Sequence, residues 1–441
     1  MGPVPSVSGR RSAVRRSKPR QRRTWAGLAA AGMLVVPVSA PGAHSAPAPE
    51  LPFSASPSPT PPAPSDGAFP VLDSAVSGQL DTAIRKVMRE ARVPGVTVGL
   101  WAPGKGSYVR SFGVADKATG APMEHDLYMR IGSVTKTFTV TALLELVDRG
   151  KVGLDDPIGK YVDGVPDGDT ITLRQLAGMR SGLFNYTMDQ DFFKAFTGDP
   201  SRPFTPRELL DYSFRHPVRF PPGEKFEYSN TNLILVGLVV EKAGGLPLSE
   251  FIRRNVLDPA GLPHTLFPTG AGFPAPHAHG YTDQTASGEV EDATDWNPSW
   301  GWAAGAMISD LRDLRSWAHT LATGTLLTPG TQAQRLKTGP TTVPGAGYGL
   351  GVFNVQGWIG HNGSLPGYES LVVHLPEAKA TMVVLLNTDI LHDGVEPSTL
   401  FGQAITRIVT PGHVYNLPAQ PARPTAGATP GGSGQSSGQS P

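Results

Sequence analysis

Apolar residues recur with a helical period from Asp73 to Arg92. There Leu80, Ile84 and Met88 form one stripe, with Asp81, Arg85 and Arg89 beside it. That spacing predicts an amphipathic helix. Two β-branched or aromatic runs follow, Val96 to Trp101 and Tyr108 to Val114, joined by Ala102-Pro103-Gly104-Lys105-Gly106. Such a pair around a Gly-rich turn predicts a hairpin. Ser133 to Gly150 then reads as a long helix. It is rich in Leu and Val, lacks internal Pro and Gly, and ends on Arg149-Gly150, a basic last turn before a glycine.

From Lys151 to about Pro340 the pattern breaks into short helical pieces between Pro/Gly-rich loops: Leu173 to Met179, Pro206 to Phe214, Asn230 to Lys242 and Ser309 to Ala322. Ser309-Asp310 stands where a helix cap belongs. Strand chemistry returns in three runs, Gly357 to Gly363, Glu369 to Leu375 and Thr381 to Asn387, with a turn at Pro376-Glu377-Ala378. The last run is apolar throughout, as for a central strand covered on both faces. Thr399 to Val409 reads as a closing helix. Strands at both ends and helices between them predict an α+β domain. Its antiparallel sheet is built from the N- and C-terminal parts and flanked by helices, with a mostly helical insertion beside it.

Composition divides the chain further. The formal charge is +1, yet eight Lys or Arg fall in the first 23 residues and no acidic residue precedes Glu50. Without that segment 30 basic residues face 37 acidic ones, a net of −7, which argues against nucleic acid as a partner. The basic start, the apolar run Trp25 to Ala40 and the small residues around Ala43-His44-Ser45-Ala46 have the layout of a secretory signal. Residues 1–46 are therefore expected to direct export to a secreted or cell-surface location. They insert stably in a membrane only if they stay uncleaved. Residues 47–69, dominated by Pro, Ala and Ser, read as an extended linker. A catalytic domain is expected over 70–415, followed by a disordered Pro/Gly/Ser/Gln tail over 416–441. The chain has no cysteine, which excludes disulfides and thiol nucleophiles.

Three stretches carry candidate chemistry. Ser133 and Lys136 lie three residues apart at the start of the long helix, on one face, so a hydroxyl adjoins an amine near a positive helix end. By composition alone such a pair occurs about once in a chain this long. Tyr228-Ser229-Asn230 precedes the apolar run Leu233 to Val240. In an extended segment Tyr228 and Asn230 would face one cleft, a proton donor beside an amide-binding group. Gly360-His361-Asn362-Gly363-Ser364 lies on an expected strand. Its glycines mark close backbone approach, and His361 offers charge or a hydrogen bond.

With these three motifs in this order, the sequence resembles the penicillin-recognising serine hydrolases, the superfamily of serine β-lactamases and D-alanyl-D-alanine peptidases. It looks most like the exported D-alanyl-D-alanine carboxypeptidase and class C β-lactamase branch. The resemblance covers about residues 72 to 412 and includes Leu176 to Leu183, Pro222 to Phe226 and His361 to Tyr368. It implies Ser133 as acylated nucleophile, with Lys136 and Tyr228 sharing the acid and base work in an order the sequence leaves open. It further implies Asn230, His361, Asn362 and Gly363 at the substrate, and the backbone N–H groups of Ser133 and Ser364 as the oxyanion hole. No cofactor or metal is implied. One position departs: the family commonly has Thr or Ser, which helps bind a substrate carboxylate, where Asn362 stands.

The expected substrate is a peptide or ester, first a peptidoglycan stem peptide ending in D-alanine. An esterase or D-amino-acid peptidase is the nearest alternative, and Asn362 favours it. A β-lactamase and a non-catalytic wall-binding relative stand further off. Other motifs carry less. Gly434-Gln435-Ser436-Ser437-Gly438 matches a nucleophile elbow but lies in the tail without a strand before it. His264, His277 and His279 lack metalloprotease spacing. Asp155-Asp156 reads as a loop, and nothing singles out Glu291 and Asp295.

Overall fold

The computed structural model describes residues 69–418. The expected export segment, the expected linker before Phe69 and the expected tail beyond Pro418 lie outside these residues. Packed chain extends slightly past the expected boundary at 415, since both Tyr415 and Leu417 are buried.

Eight strands form one sheet: β1 (Gly95–Ala102), β2 (Gly106–Gly113), β3 (Gly339–Pro340), β4 (Ala346–Tyr348), β5 (Phe353–Val355), β6 (Trp358–Leu365), β7 (Tyr368–Leu375) and β8 (Ala380–Leu386). Their order is β2-β1-β8-β7-β6-β5-β4-β3, and every neighbouring pair is antiparallel. The N-terminal hairpin thus docks on the last strand, Val96 opposite Leu386 and Val98 opposite Val384. The α+β expectation holds. The short edge strands β3 to β5 were not foreseen, because two or three residues are too few to show a period.

Both faces of the sheet are covered, which explains the unbroken apolar run in β8. Met382, Val384 and Leu386 join one core with α1 (Ser74–Glu90), while Val383 and Leu385 join another with α2 (Thr135–Asp148). On α1, Leu80, Ile84 and Val87 are buried, and Asp73 caps the helix by accepting from Val76 N at 2.9 Å. The α2 helix is buried nearly all round, threonines included, as a helix inside a domain must be. Its start differs from expectation. Ser133 lies in a single 3₁₀ turn, Gly132–Val134, and the α-helix begins at Thr135.

Against α2 packs α3 (Asn230–Gly244), whose apolar run Leu233 to Val236 is fully buried. No single helix among the described residues is long and apolar enough to cross a membrane. Next, α4 (Leu311–Thr323) is capped by Asp310, the side chain of which accepts from Asp313 N at 2.8 Å. Trp317 of α4 stacks on Phe138 at 4.0 Å and donates Nε1 to Thr137 Oγ1 at 2.8 Å. Finally α5 (Pro397–Val409) packs beside α1.

Ile84 is fully buried between α1 and the sheet, far in sequence from the motifs. Ile84→Ala should cost about 2–5 kcal/mol of stability, read as a lowered denaturant midpoint at an unchanged slope.

Candidate active site

The turn that carries Ser133 is pressed against β6, glycine to glycine. Gly132 has φ +50°, a region that disfavours a side chain, and a β-carbon there would lie 2.6 Å from Ser364 N. A β-carbon on Gly363 would lie 2.1 Å from Ile131 O and 2.9 Å from Ser133 N. Ser370 Oγ ties the same turn to the sheet by donating to Ile131 O at 2.9 Å. Two backbone N–H groups, of Ser133 and Ser364, are therefore brought close together at the N-terminal end of α2. Such a pair is suited to a developing oxyanion.

Lys136 is fully buried one helical turn on. Its Nζ lies 2.8 Å from Ser133 Oγ and donates to Ala304 O at 2.7 Å. Burial holds the ammonium pKa well below the ordinary lysine value of 10.5. Once neutral, the amine keeps one N–H on Ala304 O and turns its lone pair to the serine. The Ala303–Met307 segment is itself fixed by α2, since Thr139 Oγ1 donates to Ala303 O at 2.7 Å and Thr135 Oγ1 accepts from Met307 N at 3.1 Å. Tyr228 is hydrogen-bonded to the Ser133 side chain, and Lys136 Nζ lies 5.0 Å from its ring centroid. Burial pushes the Tyr228 phenol well above its usual range. Ser133 Oγ thus sits between an amine whose hold on its proton is weakened and a phenol whose hold is strengthened. Environments that push two groups apart in this way mark a base and an acid.

The loop holding Tyr228 is tied to Leu176 to Leu183. Glu227 N donates to Met179 O at 3.0 Å, Gly223 N to Arg180 O at 2.7 Å, and Ser181 Oγ to Asn232 Oδ1 at 2.6 Å. Ser229 is extended (φ −141°) ahead of α3, and Asn230 opens the helix. Asn230 N donates to Asn185 Oδ1 at 3.1 Å, and its Nδ2 lies 3.5 Å from Thr187 Oγ1. Asn185, Thr187 and Ala304 were not singled out by sequence; nothing in their spacing announces these contacts.

The third motif divides between the two faces of β6. His361 pairs with Val372 and Gly363 with Ser370, on the α2 side, whereas Asn362 pairs with Leu371, on the side of α1 and α5. Asn362 Nδ2 donates to Oε2 of Glu396, the residue before α5, at 2.5 Å. Beneath it, burial and the neighbouring Glu396 push the Glu369 carboxyl well above its usual range. The expectation that the Asn362 side chain meets substrate is therefore corrected: alternation along a strand turns it away from Ser133. His361 stays on the site face, buried, its ring 6.1 Å from that of Tyr228. Burial, with Lys136 adding to it, lowers His361 to about 3, so it is neutral and supplies no charge. Both ring nitrogens are engaged: Nδ1 donates to Asn362 O at 2.5 Å, and Nε2 lies 3.3 Å from Tyr348 OH.

The remaining candidates take other parts. His264 joins Asp310 and Asp313 rather than His277 and His279, and both aspartates accept local backbone N–H bonds. His279 lies 2.7 Å from Asp292. Asp155 pairs with Arg174 at 2.7 Å and Asp156 with Tyr161 at 2.5 Å, both within loops.

Gly363→Ala should push the Ser133 turn off β6. A displacement near 1 Å at a nucleophile lowers its rate about 100-fold. We expect that loss in the rate of Ser133 labelling by a fluorophosphonate, with the far-ultraviolet circular dichroism retained.

The model of the beta-lactamase family matches residues 80–400. Protein flp of Staphylococcus aureus is 26% identical over 320 residues, and the match spans 70% of this chain but only 62% of the length of that relative. Penicillin-binding protein 4* of Bacillus subtilis is 25% identical over 71% of this chain and 72% of its own. Among solved structures, a D-stereospecific amidohydrolase from a Streptomyces species superimposes with a TM-score of 0.68 at 30% identity, covering 76% of this chain and 98% of that one. D-amino acid amidase from Ochrobactrum anthropi gives 0.67 at 28% identity, covering 75% and 98%. A family match over most of the chain, together with this fold, leads to one conclusion: the chain belongs to the beta-lactamase family of penicillin-recognising serine hydrolases.

Proposed function

We propose that the protein is an exported hydrolase that acylates Ser133 and cleaves amide bonds of D-amino acids whose leaving side is uncharged. The observation that carries the choice of substrate is the third motif. His361 is neutral with both ring nitrogens engaged, and Asn362 is bonded to Glu396 on the far face, so neither side chain greets a carboxylate. Similarity to the D-stereospecific amidohydrolase and the D-amino acid amidase supports the same substrate class. Export is supported by the basic, apolar and small-residue order of residues 1–46.

In this reading neutral Lys136 takes the Ser133 proton as Oγ attacks the substrate carbonyl. The oxyanion is held by the N–H groups of Ser133 and Ser364, and Asn230 binds the substrate amide. Tyr228 gives its proton to the departing amine and recovers one from the Lys136 ammonium. Water then attacks the acyl-serine, with the same groups working in reverse. A second reading, D-alanyl-D-alanine carboxypeptidase on peptidoglycan stem peptides, shares every step and is favoured by the similarity to penicillin-binding protein 4*.

Turnover of D-phenylalanine amide against a peptide ending in D-Ala-D-Ala separates the two. Preference for the amide supports the first reading, and preference for the peptide replaces it with the second. Labelling with fluorescent penicillin and a fluorophosphonate, followed by peptide mapping, should place the adduct on Ser133. A folded protein that takes neither label would end the hydrolase proposal.

Acylation should rise with pH as Lys136 loses its proton and level off well below 10.5, because only the neutral amine accepts. A rate still climbing through the ordinary lysine range would contradict this. Lys136→Ala should remain folded and lose about 10²–10⁴-fold in acylation rate, the usual weight of a general base.

A further inference from the structure

We infer that Tyr348 is a positioning residue of this site. By donating to His361 Nε2 it anchors the ring in the Nδ1–H form that Asn362 O selects, and so holds an uncharged imidazole on the leaving-group side of Ser133. The last clause rests on the proposed function, while the tautomer does not.

A carbonyl oxygen only accepts, so the 2.5 Å contact with Asn362 O puts the ring proton of His361 on Nδ1. Nε2 is then an acceptor. The group facing it is the Tyr348 hydroxyl at 3.3 Å, and both residues are buried. Burial pushes the Tyr348 phenol well above its usual range, so it keeps its proton and donates. Three aromatic rings enclose the imidazole, with centroids at 4.9 Å (Phe353), 5.9 Å (Tyr348) and 6.1 Å (Tyr228). The titratable groups acting on it are Lys136, Tyr228 and Tyr348. Tyr348 enters on β4, two strands from His361 in the sheet, and the Tyr348–Phe353 ring contact at 4.6 Å holds it there. A hydrogen bond to the neutral form of a base opposes its protonation. Without the hydroxyl, Nε2 is a buried lone pair with no donor, and the ring loses the contact that holds its Nε2 edge.

The test is nitrogen-15 NMR of histidine-labelled protein, with the His361 signals assigned by their loss in His361→Gln. The wild-type ring should show the Nδ1–H tautomer and no titration between about pH 5 and 8, since its lowered pKa lies below that window. An Nε2–H tautomer or a charged ring in the wild type overturns the inference, whatever the substrate proves to be. Tyr348→Phe keeps the aromatic ring and removes only the donor. It should move the His361 Nε2 resonance toward that of a ring nitrogen without a hydrogen bond, the proton staying on Nδ1. It should also lower the preference for amide over carboxylate-ended substrate. Thermal unfolding confirms that the variant is folded. An unchanged Nε2 resonance and unchanged preference in a folded Tyr348→Phe would show the tyrosine to be packing only.

Discussion

Everything at this site depends on burying one amine. An ammonium out of water is costly, so burial favours the neutral form of Lys136 at the place where it meets the Ser133 hydroxyl. The surroundings serve that burial. α2 is enclosed by other helices and by the sheet, and the Ala303–Met307 segment closes over the amine through a carbonyl. The threonines of α2 look out of place in so buried a helix, yet they fasten that segment and the helices around it.

The second constraint is the contact between the Ser133 turn and β6. Two glycines let two backbones meet at a separation no side chain would permit, and the paired N–H groups follow from that approach. The sheet is thus part of the candidate site, because β6 brings the Ser364 N–H up to that of Ser133. Tyr228 arrives from a third direction, on a loop pinned by Met179 and Arg180, so that three separate layers converge on one oxygen.

Much of this was legible in the sequence. Periodicity gave α1, the hairpin and the three long C-terminal strands to within about two residues, the usual scatter of such boundaries. Ser133, Lys136, Tyr228 and His361 come together as their motifs suggested. Asn362 was misread because a motif written as consecutive letters hides the alternation of a strand, which sends neighbours to opposite faces. His361 was read as offering charge or a hydrogen bond, and only its burial among aromatic rings decides for the second. Tyr348 lies in the run Gly347-Tyr348-Gly349-Leu350-Gly351, too short and glycine-rich to announce a strand. Ala304 contributes only a carbonyl, which no sequence pattern marks.

The pairing of Val96 with Leu386 has a consequence for how the molecule comes into being. The sheet joins the first strand of the domain to the last, so these contacts are of very high sequence separation, a topology that folds slowly. A chain still being synthesised has no β6 to press on the Ser133 turn and no β8 to anchor the hairpin. The setting of Ser133 is therefore complete only when the last strand has been made. Any truncation short of β8 should leave a chain without a reaction centre, however intact its first two motifs remain.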